Sequence, residues 1–375
     1  MKRDAVVVGG GVVGLAVAMR LARDGRAVVL LERHPSFGRE ASSRNSEVVH
    51  AGMYYPTASL KARLCVAGNR SLYAWCAEHG VEIRRVGKFI VATAVDEVPA
   101  LERLHEHAQA NGVSALRWAE ADELPRAEPD VRAVAALFSP DTGIVDSHGL
   151  MQSLADAATA ADAVLAWGHE FTGAERAGPG YQVAYRDPAG DAGMIEAALV
   201  VNAGGLEADL IAAGMGLDID ALQYRVGYVK GNYFRVSEAW RGRLRHLVYP
   251  VPHPGLTGLG SHVTLDLAGG VRLGPDVEFL AGRRIDYSVD PARADALAAA
   301  AQRYLPELTV RELRPDLAGI RARRVLADPT VSPDFVIAEE SAHGLPGWVN
   351  LIGIESPGLT CCLEIADHVA ALLPG

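Results

Sequence analysis

The chain has 375 residues, 49% of them hydrophobic, and its 46 acidic side chains outnumber the 36 basic ones, which gives a formal net charge of −10. This acidic balance disfavours nucleic acid and anionic membranes as general partners, because their phosphate field would repel the surface. The four cysteines lack Cys-x-x-Cys spacing, so neither structural zinc nor a disulfide framework is predicted, and we expect no metal. No apolar run reaches about 18 residues, so we expect no transmembrane segment.

The N-terminus carries a glycine-rich turn between a strand and a helix. Ala5–Val8 is a short apolar run typical of a central parallel strand, and Val12–Arg23 is rich in Ala and Leu and predicts a helix. Gly9 permits a tight turn, Gly11 lets the backbone approach a pyrophosphate, and Gly14 lets the helix pack closely on the sheet. This pattern predicts a phosphate site at a helix N-terminus.

An acidic residue follows this unit at the spacing expected for ribose recognition. Ala27–Leu31 predicts the second strand, and Glu32 stands at its end, where a carboxylate can accept both ribose hydroxyls. Arg33 follows and leaves open a contact with a 2′-phosphate. The unit therefore predicts a dinucleotide with an adenosine ribose, and by itself it does not separate FAD from NAD.

The rest of the chain alternates between two kinds of pattern. Helical periodicity and apolar runs predict the following elements: helix Ser71–Gly80, strand Val86–Thr93, helix Asp96–Ala110, strand Ala133–Phe138, strand Ala197–Val201, helix Pro291–Tyr304, strand Trp348–Ile352 and helix Leu359–Leu373. The region from Gln223 to about Val289 is rich in Tyr, Val, Gly and Pro and is predicted to be β structure.

This alternation predicts two interleaved modules. The fold class is α/β (α+β overall), with a discontinuous Rossmann-like FAD-binding domain and a mainly antiparallel β substrate domain. We expect the FAD-binding domain to comprise residues 1–85, 140–220 and 318–375, and the substrate domain residues 86–139 and 221–317. NAD dehydrogenases usually keep their nucleotide unit in one block, whereas large flavoproteins distribute theirs along the chain, so the interleaving favours FAD.

Two later glycine turns are candidates for further cofactor contacts. Gly204 follows strand Ala197–Val201, and a second turn follows strand Trp348–Ile352 and precedes the last helix. A helix start there would aim backbone N–H groups at the electron-rich N1–C2=O edge of a flavin. An ordinary strand-to-helix loop is the alternative. The candidate cofactor contacts in this second turn are Gly353, Glu355, Ser356, Gly358, Leu359 and Thr360.

Taken together in order, several motifs make the chain resemble a known family. It is similar to the D-amino-acid-oxidase/glycerol-3-phosphate-dehydrogenase superfamily of FAD enzymes, and within it to the L-2-hydroxyglutarate dehydrogenase (oxidase) family. The resemblance covers essentially the whole chain. The matching stretches are Val6–Glu32, Ser42–Tyr55 with Ser59–Ala62, Val248–Pro252, Leu259–Thr264, Arg272–Pro275, Gly319–Arg321 and Ile354–Thr360.

The resemblance implies FAD and a set of residues around it. It places the segment that begins at Ser42 along the cofactor, and His50 and His262 near the flavin. His50 is expected to contact the isoalloxazine or the substrate, and it is a conceivable covalent anchor. Ser42, Ser43 and Arg44 are expected to line the pyrophosphate side of FAD, with Asn45 and Ser46 nearer the ring.

Oxidation of a 2-hydroxy acid needs a base for the hydroxyl proton while the Cα hydrogen leaves as hydride to flavin N5. A histidine suits this role because its pKa lies near neutrality. His262 is the first choice, since the Thr264 hydroxyl is expected on the same face of a strand. His50 is the second. A buried structural histidine is the alternative interpretation of either one.

An anionic diacid needs cations or hydroxyls at both ends, and arginine can bind a carboxylate with two hydrogen bonds. Arg321 is the expected clamp, with Lys230, Tyr249 and Tyr55 as weaker candidates for substrate binding. A solvated basic turn at Arg321 is the alternative.

The predicted function is therefore FAD-dependent oxidation of a 2-hydroxy acid, L-2-hydroxyglutarate to 2-oxoglutarate. An amine oxidase of the glycine or sarcosine type is the alternative enzyme, and a non-catalytic nucleotide-binding regulator is the alternative outside enzymes. A quinone and O2 both stay open as the electron acceptor, and so does the oligomeric state. We expect a cytoplasmic location, with peripheral contact at the inner face of a membrane left open.

Overall fold

The computed structural model describes residues 2–251, 261–329, 331 and 333–373. Pro252, Leu259 and Gly260 of the motifs quoted above lie outside the described residues. The chain divides into two compact units, the first formed by Met1–Ser43, Ser147–Tyr228 and Arg321–Gly375, and the second by Arg44–Asp146 and Val229–Ile320.

The helices of the described residues are α1 Val12–Arg23, α2 Leu60–His79, α3 Val98–Ala110, α4 Glu123–Ala127, α5 Ser147–Ala160, α6 Ala208–Gly214, α7 Ala294–Gln302 and α8 Gly358–Leu372. The strands are β1 Lys2–Val8, β2 Val28–Glu32, β3 Val48–Val49, β4 Ile83–Arg84, β5 Lys88–Ala92, β6 Arg117–Trp118, β7 Ala135–Ser139, β8 Gly143–Val145, β9 Val164–Trp167, β10 Glu170–Ala177, β11 Gly180–Arg186, β12 Ala192–Asn202, β13 Val226–Val236, β14 Leu247–Pro250, β15 Val263–Leu265, β16 Val271–Leu273, β17 Glu278–Phe279, β18 Leu313–Arg324, β19 Val336–Glu340 and β20 Leu345–Ile352.

The first unit is built on an eight-stranded sheet. Strands β20, β12, β1, β2 and β9 run parallel in that order, β10 and β11 form an antiparallel extension of β12, and β19 pairs antiparallel with β20. Helix α1 packs against α5 and α8. The carboxyl ends of the parallel strands meet at one edge of the sheet, which is where ligands bind in such folds.

The second unit is built on a nine-stranded, mainly antiparallel sheet and a small three-stranded sheet of β3, β8 and β4. In the large sheet, β5 and β14 form a parallel pair, with Leu247 opposite Lys88 and Tyr249 opposite Ile90. Its core is closed by α7 and by large buried side chains such as Trp240 and Phe234.

The expected fold class is confirmed. The division into two units differs from the expected domain boundaries, and the largest difference includes the motif Ser42–Tyr55. Residues 44–85, expected in the FAD-binding domain, lie in the second unit. The reason is long-range pairing with residues of the second unit. Strands β3 and β4 both pair with β8, and Asn69 on α2 donates to the carbonyls of His50 and Asp141 at 3.0 and 2.9 Å. Smaller differences affect residues 140–146 and 318–320, found in the second unit, and 221–228, found in the first.

Within the described ranges, none of the helices combines the length and the apolar character that crossing a membrane requires.

Candidate active site

The glycine turn after β1 is too crowded for any other residue. Gly9 has φ +108°, and a Cβ added there would lie 2.4 Å from the carbonyl oxygen of Ala203. A Cβ added at Gly14 would lie 1.9 Å from the carbonyl oxygen of Gly9. The turn therefore holds the start of α1 directly against the ends of β1 and β12, which are parallel neighbours.

The N-terminus of α1 is held by a side chain from the next loop. Gly11 precedes the helix, and the backbone N–H of Val12 donates to Ser42 Oγ at 3.0 Å. A Cβ at Gly11 would come within 2.9 Å of the same hydroxyl oxygen. The bare backbone and the positive end of the helix dipole make this a fitting place for a pyrophosphate.

Glu32 stands at the end of β2 in a fixed orientation. Its side chain accepts the backbone N–H of Gly10 at 2.6 Å and that of His34 at 2.8 Å, one on each carboxylate oxygen. Glu32 is only 8% exposed. Each carboxylate oxygen accepts more than one hydrogen bond, so a ribose hydroxyl can still be bound.

Arg33 is engaged by two acids of the same cleft. Its guanidinium forms ion pairs with Glu40 at 2.5 Å and with Glu207 at 2.7 Å, and His34 Nε2 lies 3.0 Å from Glu40. A 2′-phosphate near Arg33 would meet both carboxylates. The arrangement therefore disfavours the 2′-phosphate that the sequence left open.

One cleft of the first unit collects these groups. The cleft lies at the carboxyl ends of β1, β2, β12 and β20 and is closed by the loop after β2. The residues that line it include Gly9, Gly11, Gly14, Glu32, Arg33, Ser42, Gly204 and Ile354. Gly204 is fixed by the Asn202 side chain, whose Oδ1 accepts its N–H at 3.2 Å and whose Nδ2 donates to Asn350 Oδ1 at 2.8 Å. This hydrogen bond ties the second glycine turn to β20, the strand that leads into the third.

The third glycine turn joins β20 to α8. Gly353 has φ +70°, and an added Cβ would lie 2.4 Å from Arg324 Cγ. The N–H of Gly358, the first residue of α8, donates to the carbonyl of Glu355 at 2.6 Å. Of this segment, Ile354 lines the cleft described above. The other candidates here are Ser356, which is exposed, Leu359, which is half-buried, and Thr360, which is buried.

The remaining candidates in the first motif serve local turns. Ser43 Oγ donates to the carbonyl of Glu40 at 3.4 Å, and Asn45 Oδ1 accepts the N–H of Glu47 at 2.8 Å. Ser46 is half-buried. Their assignment to the cofactor stays a prediction.

In the second unit, His262 and Tyr249 lie face to face. Their ring centroids are 3.6 Å apart with an angle of 4° between the planes, and the side chains are 6% and 2% exposed. Tyr249 lies on β14 and His262 immediately before β15, two neighbouring strands of the large sheet. Thr264 on β15 is buried as well. The structure thus brings together the expected base and one expected substrate residue.

Lys88 is a buried cation beside Tyr249 that the sequence interpretation did not single out. It is completely buried on β5, and its Nζ lies 4.6 Å from the ring centroids of both Tyr54 and Tyr249. Burial lowers the pKa of Lys88 to about 7. A lysine at the head of the apolar run Lys88–Ala92 was a readable signal, because lysine is almost never fully buried without a reason.

Two other candidates contribute backbone groups to this unit. The carbonyl of His50 accepts from Asn69 Nδ2 at 3.0 Å, and the carbonyl of Tyr55 lies 2.7 Å from His107 Nε2. The His50 and Tyr55 side chains are half-buried.

The two candidate cations differ in their surroundings. Lys230 is 4% exposed and pairs with Asp286 at 3.4 Å. Arg321 on β18 is half-buried, and no carboxylate of the described residues forms an ion pair with it. Arg321 is thus the more available of the two for a carboxylate ligand.

Across the described parts of the chain, no cluster of three or more His, Cys, Asp or Glu side chains is arranged to hold a metal ion.

Comparison with known proteins identifies the family of the chain. The family model described as FAD dependent oxidoreductase matches residues 4–372. The mitochondrial L-2-hydroxyglutarate dehydrogenase of Arabidopsis thaliana is 40% identical over 402 residues, which cover 98% of this chain and 82% of the relative.

Solved structures with a similar fold were also found. L-alpha-glycerophosphate oxidase from Mycoplasma pneumoniae, dithionite-reduced and with FAD bound, is similar with a TM-score of 0.87 and 25% identity, covering 100% of this chain and 95% of that one. Glycine oxidase from Geobacillus kaustophilus is similar in fold, with a TM-score of 0.79 and 22% identity, covering 99% and 94%.

These matches confirm the predicted family resemblance, the predicted enzyme class and FAD as the cofactor. The tight glycine turns and the fixed Glu32 carboxylate fit that cofactor. The chain belongs to the FAD-dependent oxidoreductase family and is an enzyme that uses FAD.

Proposed function

We propose that this enzyme oxidises L-2-hydroxyglutarate to 2-oxoglutarate. The observation that carries the proposal is the 40% identity, over 98% of this chain, to a protein named L-2-hydroxyglutarate dehydrogenase. FAD, when bound, supplies the acceptor for the two electrons that leave with the Cα hydrogen as hydride. The protein must then bind the diacid, orient its Cα and remove the hydroxyl proton.

His262 takes the hydroxyl proton in this proposal. Its ring is held flat against Tyr249, with centroids 3.6 Å apart, and this contact restricts the direction in which the ring nitrogens point. Burial of both rings excludes bulk water as a competing proton acceptor. An imidazole titrates near neutrality, which suits a base at physiological pH.

Arg321 binds a substrate carboxylate in this proposal. Its guanidinium forms no ion pair with the carboxylates of the described residues, so its two-pronged donor face is free of a competing acid. Lys230 is the weaker candidate because Asp286 already neutralises it at 3.4 Å. The residues proposed to hold FAD are those that line the cleft of the first unit, with Glu32 on the adenosine ribose.

Amine oxidation is the second candidate, since glycine oxidase shares the fold. It is the weaker one, because that likeness has only 22% identity and an amine substrate needs no alcohol base. Both reactions reduce the flavin, so the substrate decides between them.

The test is anaerobic reduction of the purified holoenzyme by each candidate substrate, and the loss of flavin absorbance measures the reduction. L-2-hydroxyglutarate should bleach the flavin, whereas D-2-hydroxyglutarate, L-lactate, glycine and sarcosine should not at the same concentration. Bleaching by glycine or sarcosine, or equal rates with L-lactate, would overturn the diacid assignment. Reoxidation of the bleached enzyme by O2 or by a soluble quinone then identifies the class of acceptor.

Two variants test the assigned roles. His262→Ala should slow flavin reduction by roughly 10²–10⁴-fold while FAD stays bound, the usual contribution of a positioned base. Arg321→Lys should raise KM for L-2-hydroxyglutarate, because lysine lacks the planar fork that matches a carboxylate. A His262→Ala enzyme with the wild-type reduction rate would transfer the role to His50 or to solvent.

The proposed location is the cytoplasm. Cell fractionation tests whether the enzyme also contacts a membrane. Enzyme found in the soluble fraction at low salt supports the cytoplasmic location. Enzyme that sediments with membranes and is released by salt supports peripheral contact at the inner face.

A further inference from the structure

Lys88 brings an ammonium group into the core of the second unit. The side chain is completely buried, and Nζ lies 4.6 Å from the ring centroids of Tyr54 and Tyr249. None of the carboxylates in the described residues forms an ion pair with it. Two aromatic faces stabilise a cation only in part, so this lysine is kept at a cost to folding. Strongly perturbed groups of this kind concentrate at functional sites.

Tyr249 connects Lys88 to the expected base. The Tyr249 ring contacts both groups. Its centroid is 3.6 Å from that of His262 and 4.6 Å from Lys88 Nζ. These two distances place the ammonium group within about 8 Å of the imidazole. Strands β5 and β14 are hydrogen-bonded neighbours, so the backbone fixes Lys88 and Tyr249 relative to each other.

Resting on the proposed role of His262 as the base, we propose that Lys88 is a positioning residue for the oxidation. It holds Tyr249 flat against His262 and opposes a second positive charge on that imidazole, so the imidazole stays in the form that accepts a proton. The reason is that a nearby like charge disfavours protonation, and a base acts only while it is unprotonated.

The titratable groups around Lys88 are neutral, so its ammonium group carries the main charge near Tyr249. Within the described residues they are Tyr54, Cys65 of α2 and Tyr249 of β14, and Tyr304 lies near Tyr249. Burial raises the pKa of Tyr54 and of Tyr304, so both remain neutral phenols. Because the pKa of Lys88 is about 7, its ammonium group is charged in acid, where His262 is most at risk of protonation.

The first test is the pH profile of kcat/KM for L-2-hydroxyglutarate, measured on the holoenzyme. In Lys88→Met the acid limb of this profile should shift to higher pH by about one unit. A shift of this size is expected when one charge some 8 Å away is removed and the effective dielectric constant lies between those of protein and water. Lys88→Arg keeps the charge and should keep the limb near its wild-type position. Lys2→Met removes the same formal charge from an exposed position and should leave the profile unchanged.

The second test follows His262 directly, by NMR titration of ¹³C-labelled histidine with the signal assigned from a His262→Gln variant. The titration midpoint of His262 should rise in Lys88→Met, and Lys88→Gln provides a second charge-free variant. An unchanged midpoint in both variants would overturn the inference. A raised midpoint with an unmoved acid limb would support the effect of Lys88 on the imidazole and overturn the assignment of His262 as the base.

Discussion

Two helical glycines of the first unit make a matched test of the cofactor turn. Gly14 lies in α1, where an added Cβ would be 1.9 Å from the carbonyl oxygen of Gly9. Gly214 ends α6, where an added Cβ would meet no atom within 4 Å. The same substitution, glycine to alanine, should therefore have opposite effects at the two positions.

The magnitudes follow from competing terms. Alanine is favoured over glycine in a helix by up to about 1 kcal/mol, so Gly214→Ala should be neutral or stabilising by that amount. At Gly14 the methyl group overlaps a backbone oxygen by more than about 1 Å, and overpacking of this kind costs about 3 kcal/mol at the upper end of its usual range. The free energy of unfolding should therefore fall by about 2 kcal/mol or more in Gly14→Ala.

The assay is urea denaturation of both variants, together with the ratio of flavin to protein after purification. Gly14→Ala should also lose FAD, because the overlap displaces the turn that α1 shares with β1. Gly214→Ala should keep the wild-type flavin content. A Gly14→Ala protein as stable as Gly214→Ala and fully loaded with FAD would refute the role assigned to close packing at this turn.

Three further outcomes are expected. Glu32→Gln should weaken FAD binding and leave FMN binding unchanged in calorimetric titration, because FMN lacks the adenosine ribose assigned to Glu32; equal losses for both ligands would contradict that assignment. Tyr304→Phe removes the buried hydrogen bond to the Ser261 carbonyl at 2.7 Å and should lower the free energy of unfolding by about 1–3 kcal/mol. Equal urea midpoints for Tyr304→Phe and the wild type would contradict this expectation. The pKa of Lys88 falls from 10.5 to about 7 on folding, so the unfolded chain binds more protons between those pH values and stability rises across them. Lys88→Met should therefore stabilise the protein by up to about 5 kcal/mol at pH 6 and by progressively less towards pH 10, as urea denaturation at several pH values would show.

The nucleotide-binding part of the fold could be predicted because its chemistry is carried by the backbone. Gly9 and Gly14 are required by atoms that come within 2.4 Å of an added Cβ, and such a requirement is visible as a glycine in the sequence. The place of Glu32 at the end of β2 could be predicted from its spacing after the glycine turn, and its contact with the ribose stays a prediction. The first, second and last strands were located to within a few residues, as were the helix after the first strand and the helix after the last.

The boundary of the first unit could not be predicted in the same way. Residues 44–85 join the second unit through the pairing of β3 and β4 with β8, two short strands and a short partner with no periodicity to read. The Asn69 hydrogen bonds to two distant carbonyls are equally invisible, because their partners are 19 and 72 residues away. Long-range pairing of short strands is decided by tertiary packing and leaves little local signal.

The role of Arg33 depends on neighbouring acids that the sequence could not identify. Next to Glu32 it resembled a reader of a 2′-phosphate, and the sequence could not say which acids would surround it. Glu207 reaches it from 174 residues away, and Glu40 from the loop after β2. Two carboxylates around one guanidinium leave no net positive charge for a phosphate, so the identity of the neighbours decides the preference.

Lys88 is a charged residue at a buried strand position where an apolar residue is expected, and this departure points to a function. A strand that continues Phe-Ile-Val-Ala would pack better with an apolar residue at its head, and the completely buried ammonium group lowers stability at neutral pH. Natural proteins keep such costs mainly where activity depends on them. The proposed effect of Lys88 on His262, transmitted through the contacts of both side chains with Tyr249, would justify the cost, whereas a purely structural lysine at this position would have no such compensation.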